Sequence, residues 1–230
     1  MKFKTDVIYT DRGSKAKFVY EKYKPILRGR ILDVGADQCF IKEYLPEDAE
    51  YTGIGLGEGS DLIKLNLEKE KLPFPGNSFD CVLCLDVLEH LENIHDVFDD
   101  LCNVTKKWLV ISFPNPWAVF MGCLKNGKYK EDRNIKFYGL TREKEEDRHK
   151  WFFSSSEAKE FVKYRAEKNN MELYDIYIEN EGSDGLLKSR NFLKRMIIKK
   201  ARKFIFRDDF YFPDSYEGTQ WYVLKNKSKV

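Results

Sequence analysis

Two short runs of polar residues have the side chains needed for proton transfer and for binding a charged acceptor. The run "DVLEH" places Asp86, Glu89 and His90 within five positions. An imidazole titrates near neutral pH, so His90 is a candidate general base. The second run, "DRHKWFF", contains Arg148 and His149, which are suited to binding a polar or anionic acceptor.

Each run also has a purely structural interpretation, which the residues alone leave open. The acidic and imidazole groups of "DVLEH" can instead fix a turn and the start of a helix. The run "DRHKWFF" can be a salt-bridged loop in which Trp151 and Phe152 fill the core. In the functional alternative, 117–150 is a lid over the substrate, and Trp117 and Tyr138 line its pocket.

A third stretch, "ILDVGADQCF" at 31–40, has the form of a buried strand followed by a ligand-binding turn. Gly35 permits a close approach of the backbone to a ligand, because a Cβ atom there would collide with it. Asp33 lies at the tip of the strand, where its carboxylate can hold amides of the loop. Asp37 and Cys39 stand where such turns usually have glycines, but Asp tolerates unusual backbone angles better than most residues.

Strands and helices alternate along the chain and place these runs at the ends of strands. A helix is predicted at 14–27, with Pro25 breaking it near its end. Two further helices follow an Asn93 cap and a capping box formed by Ser154 and Glu157. Seven apolar runs have the length of strands: 30–34, 51–54, 62–66, 80–85, 108–113, 172–178 and 220–225. This pattern predicts an α/β fold with a mostly parallel sheet covered by helices on both faces, which binds ligands at the carboxyl ends of its strands.

Two segments interrupt the alternation, and both are candidates for substrate-facing insertions. They are 117–150, the lid candidate, and 183–215. We expect them to be inserted in a single domain that spans 1–230, because a chain of 230 residues is long enough for one sizeable core with insertions.

The second inserted segment contains a basic amphipathic helix. Residues 188–207 include nine Lys or Arg and no acidic residue, and Leu193, Met196, Ile197, Phe204 and Ile205 lie near one helical face. The helix can pack on the sheet with a solvated basic face, bind an anionic membrane surface that carries a lipid-linked acceptor, or bind RNA. We favour the membrane surface over RNA, because the apolar residues include long aliphatic side chains rather than a stacking platform.

Composition and charge exclude some classes of protein. The 40 basic and 38 acidic residues nearly cancel, so the chain as a whole has no field that attracts nucleic acid or membranes. The amino-terminal residues contain no apolar signal segment, and the five cysteines do not form a secreted disulfide framework, so we expect a cytoplasmic protein. Cys81 and Cys84 form a CxxC on a predicted strand, where they point to opposite faces, and we interpret them as buried thiols.

Several stretches, in this order, resemble the class I S-adenosylmethionine-dependent methyltransferases. The closest in form are "LDVGA", "LPFPGNSFD" and "DVLEHL", and the similarity runs from about Gly29 to Pro116. The resemblance implies a Rossmann-like seven-stranded sheet with the two inserted segments, and S-adenosyl-L-methionine as the cofactor.

The resemblance also implies roles for residues at the strand ends. Asn66 and Leu67 sit where family members recognise adenine, one through its side chain and the other through its backbone. Leu85 and Asp86 should lie against the methionine moiety and the methyl group, and Asp33 can orient the ammonium group of the cofactor. The cofactor-binding residues implied in this way are Asp33, Gly35, Ala36, Asp37, Leu56, Glu58, Asn66, Leu67, Leu85 and Asp86.

The clearest departure from the family is Gly55, which stands where an acidic residue usually accepts hydrogen bonds from the ribose hydroxyls. Glu58 lies three residues away in a Gly-rich loop and is a candidate substitute. Without a substitute, the affinity should fall by the value of one or two charge-assisted hydrogen bonds, roughly 1.5–3 kcal/mol each.

The sequence therefore predicts methyl transfer to a small-molecule or glycan- or lipid-linked acceptor, with His90, Arg148 and His149 as the catalytic candidates. One alternative is RNA methylation, which would need the basic helix to contact phosphates. Another is a scaffold that has lost its cofactor, suggested by Gly55, and a dinucleotide dehydrogenase is disfavoured because the glycines that admit a pyrophosphate are missing.

Metal binding is a further alternative for "DVLEH". In the ubiquinone-pathway O-methyltransferases a similar run is implicated in holding Mg²⁺, but the same letters occur in relatives that have no metal. We therefore predict no metal site.

Overall fold

The computed structural model describes residues 3–57, 62–126, 138–139, 143, 148–180, 192–205 and 211–228. The chain forms two compact units. The first comprises Met1–Phe113, Phe161–Tyr177 and Trp221–Val230, and the second comprises Pro114–Glu160 and Ile178–Gln220. Both inserted segments fall within the second unit. The single domain over 1–230 and the lid role of 117–150 stay predictions.

A seven-stranded sheet contains all of the predicted strands. They are β1 (Arg30–Val34), β2 (Glu50–Gly55), β3 (Leu62–Lys64), β4 (Phe79–Leu85), β5 (Thr105–Phe113), β6 (Met171–Ile178) and β7 (Gln220–Asn226). Their order in the sheet is β3-β2-β1-β4-β5-β7-β6. The pairs β3-β2, β2-β1, β1-β4 and β4-β5 are parallel, which confirms the mostly parallel Rossmann-like sheet.

The edge of the sheet at β6 and β7 is an antiparallel hairpin. The amide of Lys227, after β7, donates to the carbonyl of Asn170, before β6, at 3.1 Å. The amide of Glu179, after β6, donates to the carbonyl of Thr219, before β7, at 3.0 Å. Strands joined end to start in this way run in opposite directions.

Five α-helices lie within the described ranges. They are α1 (Arg12–Tyr23), α2 (Ile94–Val104), α3 (Pro116–Asn126), α4 (Ser155–Lys168) and α5 (Phe192–Ile205). Short 3₁₀ helices occur at Phe40–Tyr44, Leu88–His90 and Phe212–Ser215. Among the helices that the structure describes, none has both the length and the apolar character that crossing a bilayer requires.

The helix ends test the capping predictions. The capping box at α4 is confirmed, because the Ser154 amide donates to the Glu157 carboxylate at 2.7 Å and the Glu157 amide donates to Ser154 Oγ at 3.2 Å. The sequence predicted that the Asn93 side chain caps α2, and this prediction is wrong, because the side chain makes no capping hydrogen bond. Its amide instead donates to the carbonyl of Leu67 at 2.8 Å, which ties the start of α2 to the segment after β3.

The central strands are buried on both faces, as a parallel sheet between helices requires. In β4 the four residues from Cys81 to Cys84 are fully buried, and β1 is buried from Ile31 to Val34. The prediction that both β4 cysteines are buried thiols is confirmed, and burial raises the pKa of each well above its ordinary value. The rigid centre of the sheet therefore fixes where its strands end.

Candidate functional site

The loop after β1 is built from residues in left-handed backbone conformations. Gly35 has φ = 77°, Asp37 has φ = 48° and Cys39 has φ = 56°. The expectation that Asp37 tolerates an unusual backbone angle is confirmed. The amides of Gly35 and Ala36 both donate to the carbonyl of Ile54 in β2, at 2.8 and 3.0 Å, so the loop is held against the end of the neighbouring strand.

The packing of this chain requires a glycine at position 35, even without a bound ligand. A Cβ atom at this position would lie 2.3 Å from Cγ2 of Val87, in the segment after β4. No real Cβ contact is that short, and the positive φ adds backbone strain for any other residue. The loop after β1 and the segment after β4 are therefore in direct van der Waals contact at the carboxyl edge of the sheet.

Asp33 lies beneath this loop and is bonded to a tyrosine. The hydroxyl of Tyr51 in β2 donates to Oδ2 of Asp33 at 2.9 Å, and Asp33 is 8% exposed. The amides of Gly35 and Ala36 in this loop donate to the carbonyl of Ile54 and not to the Asp33 carboxylate. Burial raises the pKa of Asp33 to about 6, although the hydrogen bond from Tyr51 acts in the opposite direction.

Asp86 lies at the end of β4 in a left-handed conformation, with φ = 54°. Its carboxylate forms a salt bridge with Lys15 of α1 and accepts a 2.5 Å hydrogen bond from the hydroxyl of Ser112 in β5. The ammonium group of Lys15 also lies 5.1 Å from the ring centroid of Trp221. Helix α1 thus contributes a cation that balances one carboxylate of the edge.

A second cation from α1 reaches the loop after β1. Arg12 forms a salt bridge with Asp37, but the two side chains are 74% and 43% exposed. An ion pair this exposed contributes little to stability. The first turn of α1 nevertheless contacts two carboxylates at this edge of the sheet. Arg12 reaches the loop after β1, and Lys15 reaches the residue after β4. The sequence predicted a helix here but no role for it.

The end of β2 has room for a side chain that the sequence does not supply. A Cβ atom at Gly55 would have its nearest neighbours, the amide nitrogen of Ala36 and Cδ1 of Leu62, at 3.7 Å. Leu56 follows with 68% exposure. Glu58, the candidate substitute for the missing acidic residue, lies outside the described residues, so its role stays a prediction.

The segment after β3 is ordered by its own hydrogen bonds. Oδ1 of Asn66 accepts from the amide of Glu68 at 3.0 Å, and the Asn66 carbonyl accepts from the amide of Glu70 at 2.9 Å. The carbonyl of Leu67 accepts from Asn93, as described above. These bonds fix the backbone of the two residues that the sequence assigns to adenine recognition, and that assignment stays a prediction.

His90 ends the 3₁₀ helix that follows β4. The Nε2 atom of His90 lies 4.0 Å from Oε1 of Glu89, and its side chain is 24% exposed while that of Glu89 is 1% exposed. The half-buried Leu85 closes β4 one residue before Asp86. The structure therefore groups Leu85, Asp86 and His90 in one segment that begins at the sheet edge.

The other two catalytic candidates belong to the second unit, where they adjoin an aromatic cluster. The hydroxyl of Tyr138 is hydrogen-bonded to Nδ1 of His149, and the two rings pack edge to face with centroids 5.1 Å apart. Phe152 contacts the same tyrosine ring at 5.1 Å and the ring of Trp117 at 5.4 Å. Arg148 is half-buried beside His149.

The alternative in which Trp151 and Phe152 fill the core is wrong. Trp151 is 37% exposed and Phe152 is 47% exposed. The predicted proximity of Trp117 and Tyr138 is supported, because both pack on Phe152. This places aromatic rings next to Arg148 and His149 within the second unit.

Part of the chain, including the carboxyl edge of β1 and β4, matches a known protein family. Residues 32–111 match a protein family described as "Methyltransferase domain". The match runs from within β1 to within β5, so it includes the loop after β1 and the segment after β4. No curated protein sequence matches the chain.

Solved structures of methyltransferases share the fold. An S-adenosylmethionine-dependent methyltransferase from Archaeoglobus fulgidus is 17% identical with a TM-score of 0.57, over 94% of this chain and 95% of that one. Magnesium protoporphyrin IX methyltransferase from Synechocystis PCC 6803, solved with bound S-adenosylhomocysteine, is 14% identical with a TM-score of 0.51, over 93% and 82%. A small RNA methyltransferase is 11% identical with a TM-score of 0.60, over 99% of this chain and 27% of that one. At these identities the likeness establishes the fold alone.

Proposed function

We propose that this chain, whose residues 32–111 match a methyltransferase domain, is a class I S-adenosylmethionine-dependent methyltransferase that methylates an oxygen or nitrogen atom of a small-molecule or glycan- or lipid-linked acceptor. One observation carries the proposal. Two carboxylates, Asp33 near the end of β1 and Asp86 directly after β4, belong to adjacent strands at the edge where Gly35 approaches Val87. We also propose that the protein is cytoplasmic, as expected from its sequence.

The chemistry of the residues at this edge suits S-adenosylmethionine, except at one position. The buried carboxylate of Asp33 suits a ligand that carries an ammonium group and a sulfonium. The ordered backbone at Asn66 and Leu67 suits recognition of a base edge. The departure is Gly55, which has space for a side chain among the described residues but has no side-chain acceptor of its own for the ribose hydroxyls.

S-adenosylmethionine, when bound, supplies an electrophilic methyl group on a positively charged sulfur. The contribution of the chain is to bind, orient and exclude water around the reacting groups. Asp33, ionised, holds the cationic end. Gly35, Ala36 and Asp37 form the loop over it, and Leu85 and Asp86 form the wall on the side of β4.

His90 is the group of the first unit that we propose to move a proton. Its imidazole, 24% exposed, can take the proton of an acceptor hydroxyl or amine as that atom becomes the nucleophile. The buried carboxylate of Glu89 stabilises the imidazolium that results, since its Oε1 is 4.0 Å from Nε2.

Arg148 and His149 are the groups of the second unit that we propose to meet the acceptor. The hydrogen bond between Tyr138 and His149 fixes which nitrogen of the ring points away from the tyrosine. A guanidinium beside this ring suits an anionic group such as a phosphate or a carboxylate on the acceptor. The aromatic cluster around Phe152 adds an apolar wall for a sugar or an acyl chain.

The experiment that tests the proposal separates cofactor binding from acceptor class. S-adenosylmethionine and S-adenosylhomocysteine are titrated into the purified chain by calorimetry, with NAD as the control. The chain is then incubated with methyl-labelled cofactor and three fractions of the same cells: soluble metabolites, extracted lipids and glycolipids, and RNA. Excess S-adenosylhomocysteine is the blank for each fraction.

Label that enters the metabolite or lipid fraction, and disappears in the blank, supports the proposed acceptor. Label confined to RNA would replace it with the alternative of RNA methylation. Failure of both cofactor ligands to bind would leave the scaffold alternative.

A further inference from the structure

Helix α5 has a composition that no other described element shares. Its fourteen residues include six Lys or Arg and no acidic residue. The other eight residues are all apolar, and many of them are exposed. The exposed apolar side chains are Phe192 at 64%, Leu193 at 67%, Met196 at 40%, Ile197 at 67% and Phe204 at 92%. A helix of a globular protein normally buries such residues.

Three of these exposed residues project from one side of the helix. At about 100° per residue, Leu193, Ile197 and Phe204 project within an arc of about 40°. Their exposures of 67%, 67% and 92% are among the largest for apolar residues in the described parts of the chain. Large apolar side chains that share one exposed side of a helix mark a surface for binding another apolar body. We call Leu193, Ile197 and Phe204 the apolar stripe.

The opposite side of α5 provides the attachment to the second unit. Ile198 and Arg202 are its half-buried residues, and the guanidinium carbon of Arg202 lies 3.5 Å from the ring centroid of Phe212. On the helical wheel these two residues lie about 140° from the centre of the apolar stripe. The helix is therefore oriented with the stripe outward.

Lysines stand beside the stripe. Lys200 and Lys203 lie on one flank of it, and both are exposed. Lys199 lies further round towards the polar face and is also exposed. Lysine side chains in this position can extend along apolar surface while their ammonium groups reach a layer of negative charge. The charge and the apolar stripe thus complement the same kind of surface.

We propose that α5 binds in the plane of an anionic lipid surface, with the apolar stripe in the acyl region and its lysines on the phosphate groups. An amphipathic helix with a basic polar face and an apolar opposite face is suited to this position. RNA would be contacted by the cations alone and would leave the three apolar side chains in water, so RNA is disfavoured. The inference goes beyond the proposed function and does not depend on methyl transfer.

The test measures sedimentation of the full chain with vesicles. Vesicles of phosphatidylcholine alone are compared with vesicles that contain phosphatidylglycerol, at low and high salt. The charge variant changes Lys199, Lys200 and Lys203 to Gln, and the stripe variant changes Leu193, Ile197 and Phe204 to Ser. Arg202 is left unchanged because its contact with Phe212 attaches the helix.

The matched control changes three lysines of α4, a helix of the same length, to Gln: Lys159, Lys163 and Lys168. All three are exposed. We expect wild type and control to bind anionic vesicles equally. The charge variant should bind roughly a hundredfold more weakly, since each cation near such a surface contributes about a fivefold factor. The stripe variant should also lose most binding.

Circular dichroism and a cooperative thermal unfolding transition show that each variant is folded. Equal losses in the charge variant and the α4 control would overturn the proposal, because binding would then report net charge alone. It would also be overturned if the stripe variant bound vesicles as wild type does. A charge variant that loses RNA in a filter-binding assay, with vesicle binding absent in wild type, would replace the lipid surface with RNA.

Discussion

The hydroxyl of Tyr51 donates a 2.9 Å hydrogen bond to the carboxylate of Asp33, although the two residues stand on different strands. In the parallel register, Asp33 lies beside Gly53, whose missing side chain leaves space for the tyrosine. A Cβ atom at Gly53 would be 3.2 Å from the Tyr51 oxygen. The bond therefore depends on three residues of two strands, and it holds a buried acid at the edge that we assign to the cofactor.

The first prediction concerns the pH dependence of cofactor affinity. Burial raises the pKa of Asp33 to about 6, so below that pH the side chain is mostly a neutral acid. A cationic ligand favours the ionised form. We expect the affinity for S-adenosylmethionine to rise between pH 5 and pH 7, with release of a proton on binding at the lower end. Calorimetry in buffers of different ionisation enthalpy measures this. Asp33→Asn should flatten the profile, and an unchanged profile in that variant would refute the assignment.

The second prediction is the effect of the same acid on stability. The folded pKa of Asp33 lies above its unfolded value, so its contribution to stability is complete below about pH 4 and is lost as pH rises through about 6. A shift of this size corresponds to roughly 3 kcal/mol. Without ligand, Asp33→Asn should be more stable than wild type at pH 8 by up to that amount, and equal to it at pH 4. Urea unfolding at both pH values checks this, and a constant difference would contradict it.

The third prediction uses the contact of Gly35 with Val87. Gly35→Ala places a Cβ atom 2.3 Å from Cγ2 of Val87, so we expect the free energy of unfolding to fall by about 2 kcal/mol or more. Val87→Ala removes the offending atom. In that background the Gly35→Ala penalty should shrink to about 1–2 kcal/mol, the cost of the positive φ. Chemical denaturation of the two single variants and the double variant measures the coupling. If the effects of the two single variants simply add in the double variant, the loop after β1 relieves the contact by moving away from Val87.

The sequence predicted the strands because their apolar runs depend on local pattern alone, and β1 and β4 illustrate this. It could not predict contacts between residues far apart in the chain. The salt bridge between Lys15 and Asp86 joins positions 71 residues apart. Nothing in "SKAKF" distinguishes that lysine from its neighbours until the fold places α1 beside β4.

Asn93 shows a different limit of sequence reasoning. Its position before an apolar helical pattern is typical of an N-cap, yet its amide bonds to Leu67. A side chain that can cap can also bond elsewhere, and the tertiary partner was not visible in the sequence. Tyr51 was missed for a related reason, because a tyrosine in a strand usually indicates packing and its partner lies on the adjacent strand.

The fourth prediction restores the acidic group that β2 lacks. Gly55→Asp fits sterically among the described residues, because its Cβ atom would lie 3.7 Å from the nearest of their atoms. If the ribose hydroxyls lie there, the new carboxylate should raise the affinity for S-adenosylhomocysteine about tenfold or more, the value of one charge-assisted hydrogen bond. The measurement is calorimetric titration at pH 7.5.

Gly53→Asp is the matched control for this variant. It adds the same side chain two positions earlier in β2, where its Cβ atom would lie 3.0 Å from Sγ of Cys39. It should lower stability and give no gain in affinity. If Gly55→Asp also gives no gain while remaining folded, the ribose is bound by another group, and Glu58 becomes the residue to change next.

The fifth prediction separates a base from a structural histidine. His90→Ala should lower turnover of the acceptor found in the labelling experiment by about 10²–10⁴-fold, the usual range for a general base, with little change in S-adenosylhomocysteine affinity. His95→Ala is the control, since His95 is an exposed residue of α2 whose ring packs on Phe161. Its turnover should stay near that of wild type. His90→Gln keeps a polar side chain near the buried Glu89 carboxylate, which lies 4.0 Å from the imidazole, so it should keep the local fold. Since a glutamine amide cannot accept a proton as a base, this variant should still lose turnover. Loss of folding in His90→Ala together with full activity in His90→Gln would show that this residue fixes the turn after β4 and moves no proton.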